Sequence, residues 1–383
     1  MSTPSPSGSI RPPIILPPNG VLAHEWIEQY GGSEQVLAEF AELAPDADIL
    51  CLWNSAQGRF KEARVRESWL ARTPLRRSKV ASLPFMPMTW RIWRNKGYDW
   101  ALISSHAFAH HFRTPGMSFE RIFVYVHSPA RYLWAPEIDS RGHGFARTIA
   151  SSGLRAIDRH AARHPRTLAA NSEYVAQRIA RSWDRTSRVI HPPVDVERLS
   201  TVDDWAELLT ENERTVLDKL PRPFLLAASR LVPYKAIDQT IRVGKKMGIP
   251  VVVAGAGPDR DRLESLAEEL GSHVTFLGRV SDEMLYALYQ EALVYVFLAV
   301  EDFGIMPVEA MAVGGRVVAN SIGGTAETVE GIGQVAPAKD IEAVAEAVER
   351  VAAKPRPNSL SLEKRFGRAR FRSEIAEWIE DVL

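Results

Sequence analysis

At 383 residues, with 45% hydrophobic and 25% charged side chains, the chain is long enough for two domains with a substantial core each. Its apolar runs all fall short of the roughly 20 residues a bilayer-spanning helix needs, which excludes such a helix. The formal net charge of zero conceals an asymmetry: residues 1–191 hold 25 Lys/Arg against 16 Asp/Glu, and residues 192–383 hold 22 against 31, as expected of two domains with different partners.

Residues 1–18 are Ser/Pro-rich and lack a long apolar core, so they read as a disordered tail and not as a signal peptide. Short apolar runs then alternate with helical patterns, the mark of parallel α/β sheets. Strands are expected at 20–24, 48–53, 80–83, 100–104, 122–127 and 167–171, with a short apolar piece at 188–190. The single Cys51, inside the second of these runs, excludes an internal disulfide. It is expected to be a buried thiol in a cytoplasmic protein. Residues 59–96 carry eleven Lys/Arg against Glu62 and Glu67, interleaved with Trp69, Trp90 and Trp93. A solvated face, an anionic acceptor site or a peripheral membrane surface would each use such a segment, and the membrane reading is favoured. Nucleic acid is not expected, because no nucleic-acid motif accompanies the charge.

His191-Pro192-Pro193 breaks regular structure. The domains are therefore placed at 19–191 for the acceptor, with about 365–383 added, and at 223–364 for the donor, joined by a connection at 192–222. In the second half, strands are expected at 224–228, 250–254, 274–277, 293–298 and 316–319, and helices at 259–270 and 282–291, the latter capped by Ser281. Residues 362–383 read as a charged amphipathic helix.

Ligands of such sheets bind outside the carboxyl ends of the strands, so the loops there carry the candidates. Glu301-Asp302-Phe303-Gly304-Ile305-Met306-Pro307-Val308-Glu309 follows an apolar strand and opens a helix, Pro307 suiting its first position. Free N–H groups at that start favour a phosphate, and the flanking carboxylates could accept from sugar or ribose hydroxyls. Taken singly, Glu309 is an ordinary helix-start acid and Glu301 a loop acid. Tyr30-Gly31-Gly32-Ser33-Glu34 opens a helix expected over 34–43, either as a close backbone approach to an anion or as a tight turn capped by Ser33. Arg230 and Lys235, five residues apart after a strand, could clamp a diphosphate. His127, followed by Arg131 and aromatics, could orient a sugar. Gly255-Ala256-Gly257 reads as a strand-to-helix turn, and Gly323-Gly324 could close on a nucleotide or simply connect strand to helix. His106, His110 and His111 lack a carboxylate or Cys in sequence reach to complete a metal site and read as structural.

Together these pieces resemble the retaining, nucleotide-sugar-dependent GT-B glycosyltransferases often called family four, from about Gly20 to the terminal helix. The most specific element is the Glu-x7-Glu motif, Glu301 and Glu309; Ser229-Arg230-Leu231 with Lys235, Gly31-Gly32, Ala170-Asn171-Ser172 and Pro192-Pro193-Val194-Asp195 also fit. His24-Glu25-Trp26 and His127-Ser128-Pro129-Ala130-Arg131-Tyr132 look most like a bacterial branch rich in GDP-mannose-dependent mannosyltransferases. Gly314-Gly315-Arg316 departs from the small residue and Pro that many relatives carry there.

The resemblance implies two Rossmann-like domains facing across a cleft, with the terminal helix crossing back to the first. It implies Glu309 on the ribose, Glu301 and His127 on the donor sugar, and Arg230 and Lys235 on the departing diphosphate. Gly31, Gly32 and the backbone of Phe303, Gly304 and Ile305 would assist at the phosphates, with the base near Arg279 and Val280. It further implies metal independence, no cofactor beyond the nucleotide-sugar co-substrate, and same-face attack. The acceptor would be a glycan, a lipid-linked molecule or a small natural product. Rival readings are a UDP-hexose-dependent enzyme, a sugar phosphorylase, a nucleotide-sugar epimerase and a non-catalytic nucleotide-sugar-binding protein. A nicotinamide-dependent oxidoreductase lacks its Gly-x-Gly-x-x-Gly fingerprint in the first half.

Overall fold

The computed structural model describes residues 15–29, 31–93, 97–135 and 150–380. Most of the expected disordered tail, together with Tyr30, Arg94, Asn95, Lys96 and the last three residues of the expected terminal helix, lies outside them. Two parallel sheets form. In chain order the first holds β1 (Gly20–Ile27), β2 (Asp48–Asn54), β3 (Val65–Glu67), β4 (Trp100–Ser105), β5 (Ile122–Val126), β6 (Thr167–Ala170) and β7 (Arg188–Val189), arranged β3-β2-β1-β4-β5-β6-β7. The second holds β8 (Leu225–Ala228), β9 (Val251–Ala254), β10 (Val274–Gly278), β11 (Val294–Phe297), β12 (Val317–Asn320) and β13 (Gln334–Ala336), arranged β10-β9-β8-β11-β12-β13. In each, the strand order reverses beside the first strand, and a crevice opens at such a switch point.

Alternate residues of one strand feed opposite cores, as the two-residue period of a strand requires. Val21, Ala23, Leu50 and Leu52 join one cluster, whereas Leu22, Ile49 and Cys51 join another on the far face. The second sheet divides likewise: Leu226, Val252 and Tyr295 face one side, and Leu225, Val251 and Val294 the other. Helices cover both faces, so the central strands are buried on both sides and mostly apolar, with the polar exceptions His24, Glu25, Ser104 and Ser105 near the carboxyl ends of β1 and β4. Cys51 is fully buried, and burial pushes its thiol well up.

Several expectations change. Residues 80–83 are not a strand: Lys79–Ser82 is a helical turn followed by a 3-10 turn at Leu83–Phe85. The Ser78 hydroxyl accepts from Ala81 N–H, and Ser82 Oγ donates back to Ser78 O, so local capping outweighs the β-branched Val80. Strands β3 and β13 are edge strands of three residues each, too short to show alternation. Residues 192–222 are folded, with helices at Val196–Ser200 and Glu211–Asp218, and Val194, Leu199, Trp205 and Leu217 are buried in the second domain's core. Their apolar side chains are spread thinly among charges, and helical spacing gathers them on one face.

The terminal segment is two helices, Ser359–Phe366 and Arg368–Glu380, broken at Gly367, where a side-chain carbon would lie 2.0 Å from Glu363. Leu362 and Phe366 pack on the second domain. Phe371, Ile375, Trp378 and Ile379 pack on the first, with Phe371 stacked on Phe40. The chain thus crosses between domains twice, and Val194 N–H donates to Phe366 O at 2.8 Å to tie the crossings together.

Candidate functional site

Loops at the carboxyl ends of both sheets meet around a cavity of about 370 Å³. Gly32, His127, Arg131 and Asn171 line it from the first domain, and Lys235 and the 301–306 loop from the second. Two helix starts face it from opposite sides, Gly32–Leu43 and Ile305–Ala312. A side-chain carbon on Gly32 would lie 2.5 Å from Ile305 Cδ1, so glycine lets the two domains' backbones approach. Gly304 precedes the second helix at φ 96°, and a side chain there would press on Thr325. Pro307 sits third in that helix and not first, still within the turn whose N–H groups have no intrahelical partner.

Glu301 is held from both domains. Lys235 Nζ donates to its Oε1 at 2.6 Å, and Arg131 Nη2 to its Oε2 at 3.2 Å. Burial alone would raise the Glu301 carboxyl, but the Lys235 and Arg131 charges hold it below its ordinary range. Both its oxygens are therefore engaged by cations. Lys235 also lies over the Phe297 ring, 5.3 Å from its centroid. His127 Nε2 pairs with Ser104 Oγ at 2.8 Å, which in turn meets His24 Nδ1 at 3.0 Å. Burial, then the neighbouring His106 and His24, hold His127 well below the usual imidazole range, so it is neutral at physiological pH.

Glu309 lies elsewhere in the cleft. It lines a second interdomain cavity of about 420 Å³ with Gly31, Gln35, Arg59, Arg198, Asp282 and Tyr286. Burial, aided by the Asp282 charge, pushes its carboxyl up to about 7. The motif's two glutamates thus face different cavities, with opposite protonation tendencies.

Arg230, expected beside Lys235 on the diphosphate, is exposed and donates to Tyr234 Oη at 3.3 Å, outside the wall of the 370 Å³ cavity. Arg279 is exposed just past β10, and Val280 packs on the second core. Gly255 and Gly257 pack against the 229–231 backbone, where side-chain carbons would come within 1.8 and 2.1 Å of carbonyl oxygens. Their role is close packing of two loops. Gly324 follows the same rule against Asp302 O. In the helix that Gly324 opens (Gly324–Val329), Glu327 accepts from Glu173 and Tyr174 N–H at 2.8 and 2.7 Å, capping a first-domain helix (Glu173–Trp183) from the second domain.

The histidines do acquire carboxylates, contrary to the sequence expectation. His110 and His111 place Nε2 3.1 Å from Asp158 Oδ1, and the Trp134 and Trp183 indoles donate to its Oδ2. Asp158 stands 47 residues from His111, beyond any local spacing rule. The carboxylate is held well below its ordinary range by these histidines despite burial, and is filled by donors. Likewise, fully buried Glu25 accepts from the N–H groups of His106, Ala107 and Ala109, which fixes the turn after β4. Both sets, His110, His111 and Asp158 on one side and His24, Glu25 and His106 on the other, also bring their ligand atoms within 4.8 Å of one another, a geometry that suits a cation as well as a structural hub.

Residues 30–198 match the family described as Glycosyltransferase Family 4, and residues 210–370 that described as Glycosyl transferases group 1. Over 204 residues the chain is 33% identical to a GDP-mannose-dependent alpha-(1-6)-phosphatidylinositol monomannoside mannosyltransferase of Mycolicibacterium smegmatis, covering 48% of this chain and 52% of that one. It is 39% identical over 147 residues to a D-inositol 3-phosphate glycosyltransferase of Mycobacterium sp. (strain JLS), covering 36% and 32%. It is also 41% identical over 113 residues to an uncharacterized glycosyltransferase of Methanocaldococcus jannaschii, covering 28% and 29%. These matches span from about a third to about half of the relatives' length. Among solved structures, Anabaena HepE in complex with UDP and glucose superposes with a TM-score of 0.68 at 20% identity, covering 94% of this chain and 99% of that one. Sucrose-phosphate synthase of Thermosynechococcus elongatus does so at 0.68 and 17%, covering 94% and 98%. They share the fold.

The raised Glu309 carboxyl sets a pH signature. The folded protein holds this proton more tightly than the unfolded chain, so the contribution favours folding below the ordinary carboxylate value and is lost as pH rises to about 7. Glu309→Gln should leave stability near wild type at acid pH and raise it at pH 8 by at most roughly 3 kcal/mol, seen as a higher melting temperature at pH 8 alone. An equal difference at both pH values would refute the assignment.

Proposed function

We propose that this chain, which belongs to the GT-B glycosyltransferases by its two family matches and its fold, moves a hexose from a nucleotide sugar to an acceptor hydroxyl with retention at the anomeric carbon. The observation that carries the proposal is the single cavity where Lys235, Glu301, His127 and two opposed helix starts converge. In this reading the helix N–H groups and Lys235 take the diphosphate, whose charge grows as the glycosidic C–O bond breaks. Arg230 joins from the rim. Glu301 accepts from hydroxyls of the sugar, and neutral His127 bonds a further hydroxyl near the reacting face. Because both Glu301 oxygens are held by cations, attack by the acceptor on the face vacated by the leaving group is favoured over a covalent glycosyl-enzyme. The acceptor's proton then passes to the departing phosphate oxygen. The cations and helix ends supply the charge a divalent metal would otherwise bring. In buffer containing EDTA the wild type should therefore transfer sugar. Lys235→Ala should lower kcat about 10²- to 10³-fold, and near wild-type turnover in that variant would rule the role out.

The 420 Å³ cavity suits the nucleoside, with Glu309 on the ribose hydroxyls; in this reading the base reaches toward Arg279 and Val280, which stand outside the cavity wall on the stretch leading to Asp282. Asp282, two residues beyond Val280, lines the same cavity and was not singled out by the sequence. A carboxylate matches the adjacent N1–H and N2–H donors of guanine, whereas uracil presents one N–H between two carbonyls. This chemistry supports a guanosine over a uridine diphosphate sugar, and mannose as the sugar is favoured by the likeness to a GDP-mannose-dependent mannosyltransferase. GDP should raise the melting temperature more than UDP at equal concentration, and Asp282→Asn should narrow the gap by about tenfold in affinity. A preference for UDP in the wild type would sink the guanine assignment.

The acceptor side carries an exposed apolar ridge: Phe85, Met88 and Ile92 recur at helical spacing, and Trp69 sits against Phe85. Arg72, Arg76, Arg77 and Arg91 surround this segment and are exposed, and no helix among the described residues is long and apolar enough to cross a membrane. Basic charge around an apolar ridge fits an anionic bilayer surface and a lipid-linked acceptor. Sedimentation with phosphatidylglycerol vesicles should carry the protein down, and Met88→Asp should release it. Equal binding to phosphatidylcholine vesicles would overturn the electrostatic part.

A further inference from the structure

Asp302 is the buried partner of the motif's first glutamate, and no part of the donor reading uses it. Its Oδ2 accepts from Arg131 Nε at 2.8 Å, and its Oδ1 from Arg178 Nη1 at 2.6 Å. Arg178 is further fixed by Ser128 Oγ at 2.9 Å, and Ser172 Oγ donates to the Asp302 carbonyl. Asp302 belongs to the second domain and its three partners, Arg131, Arg178 and Ser172, to the first. Arg131 makes the connection consequential, because the same guanidinium also holds Glu301 Oε2. The two domains are otherwise joined here by Glu327 on the Glu173–Trp183 helix start, and by the paired crossings at Val194 and Phe366.

We propose that Asp302 is a positioning residue: through Arg131 and Arg178 it latches the two domains together and, by fixing Arg131, aims Glu301 at the donor sugar. This rests on the transferase reading only for what Glu301 does once aimed. A latch of this kind suits a cleft that must open. Its charges regain hydration when the domains part, so the closed state gains modest net energy while its geometry is strictly set. Removing one member is different. With Asp302 neutral, Arg131 and Arg178 are left on the first domain's side of the interface as like charges without the carboxylate they share.

The test is Asp302→Asn in the full chain, read in three ways. Ligand-free solution scattering should show a larger radius of gyration than wild type. Sugar transfer should fall about 10²-fold, mainly in kcat, as expected when a group near the reacting centre is misplaced by about 1 Å. Affinity for GDP alone should stay within about threefold, because Glu309 and Asp282 lie in the other cavity. Arg178→Lys should retain more activity than Arg178→Gln, which a packing role for the side chain would not produce, and this pair serves equally if Asp302→Asn does not fold. An unchanged radius of gyration with transfer within twofold of wild type would overturn the proposal, as would parallel loss of GDP affinity and turnover. If the wild type transfers no hexose from any nucleotide sugar, the transferase reading fails alone, since scattering of the ligand-free variants still decides the latch.

Discussion

Three cations and two carboxylates meet where the domains touch: Arg131 and Arg178 from the first, Lys235, Glu301 and Asp302 from the second. Partly buried charges are tolerated only when each finds an opposite charge at hydrogen-bond distance. That condition fixes much else. Asp302 needs both arginines, so the loop after β5 and the Glu173–Trp183 helix must stand beside the loop after β11. Glu301 needs Lys235 and Arg131, so it ends up between the domains and not on either one. The set carries one surplus positive charge, and the cavity it lines is open to an anion that would balance it.

The sheets supply the rest of the geometry. Parallel strands deliver their loops to one edge, and in both domains the order reverses beside the first strand, β1 against β4 and β8 against β11. His24 and His127 come from neighbouring regions of that edge in the first sheet, while Lys235 and Glu301 follow β8 and β11 in the second. Glycines then decide how near the loops can come. Gly32 admits Ile305 across the cleft, and Gly304 turns the chain into its helix with a backbone that a side chain would strain. Two helix starts are thereby brought to face each other, doubling the partial positive charge at one place.

The central strands were legible because strands buried on both faces are apolar runs bounded by turn residues, as at β2 and β11. Glu301, Lys235, His127 and Gly32 were legible as polar or glycine residues in the segments that follow strands, and Glu309 by its fixed spacing from Glu301 within the helix Ile305–Ala312. What stayed hidden has a common cause, the distance in sequence between interacting groups. Asp302 meets Arg131 across 171 residues, and Glu327 meets Tyr174 across 153, so no local pattern could announce either contact. The terminal crossing is similar: the sequence shows an amphipathic helix, and only packing reveals that Gly367 divides it between two domains. Short edge strands and the 79–85 turns were missed for the opposite reason, since there local capping outweighs an apolar pattern that is itself weak.

The two glutamates of the motif show how little spacing alone determines. Both are substantially buried carboxyls near the start of one helix, and burial raises the carboxyl of each. Glu301 has two cations in contact and is driven below its ordinary range; Glu309 is raised by burial and the Asp282 charge, which outweigh the opposing Arg198, to about 7. The first is therefore a fixed anion whatever the state of the cleft. The second is a carboxyl waiting for donors, and hydrogen bonds from a pair of hydroxyls would stabilise its charged form. Hydroxyl donors reaching Glu309 would therefore favour loss of its proton, whereas Glu301 already carries its charge between Lys235 and Arg131.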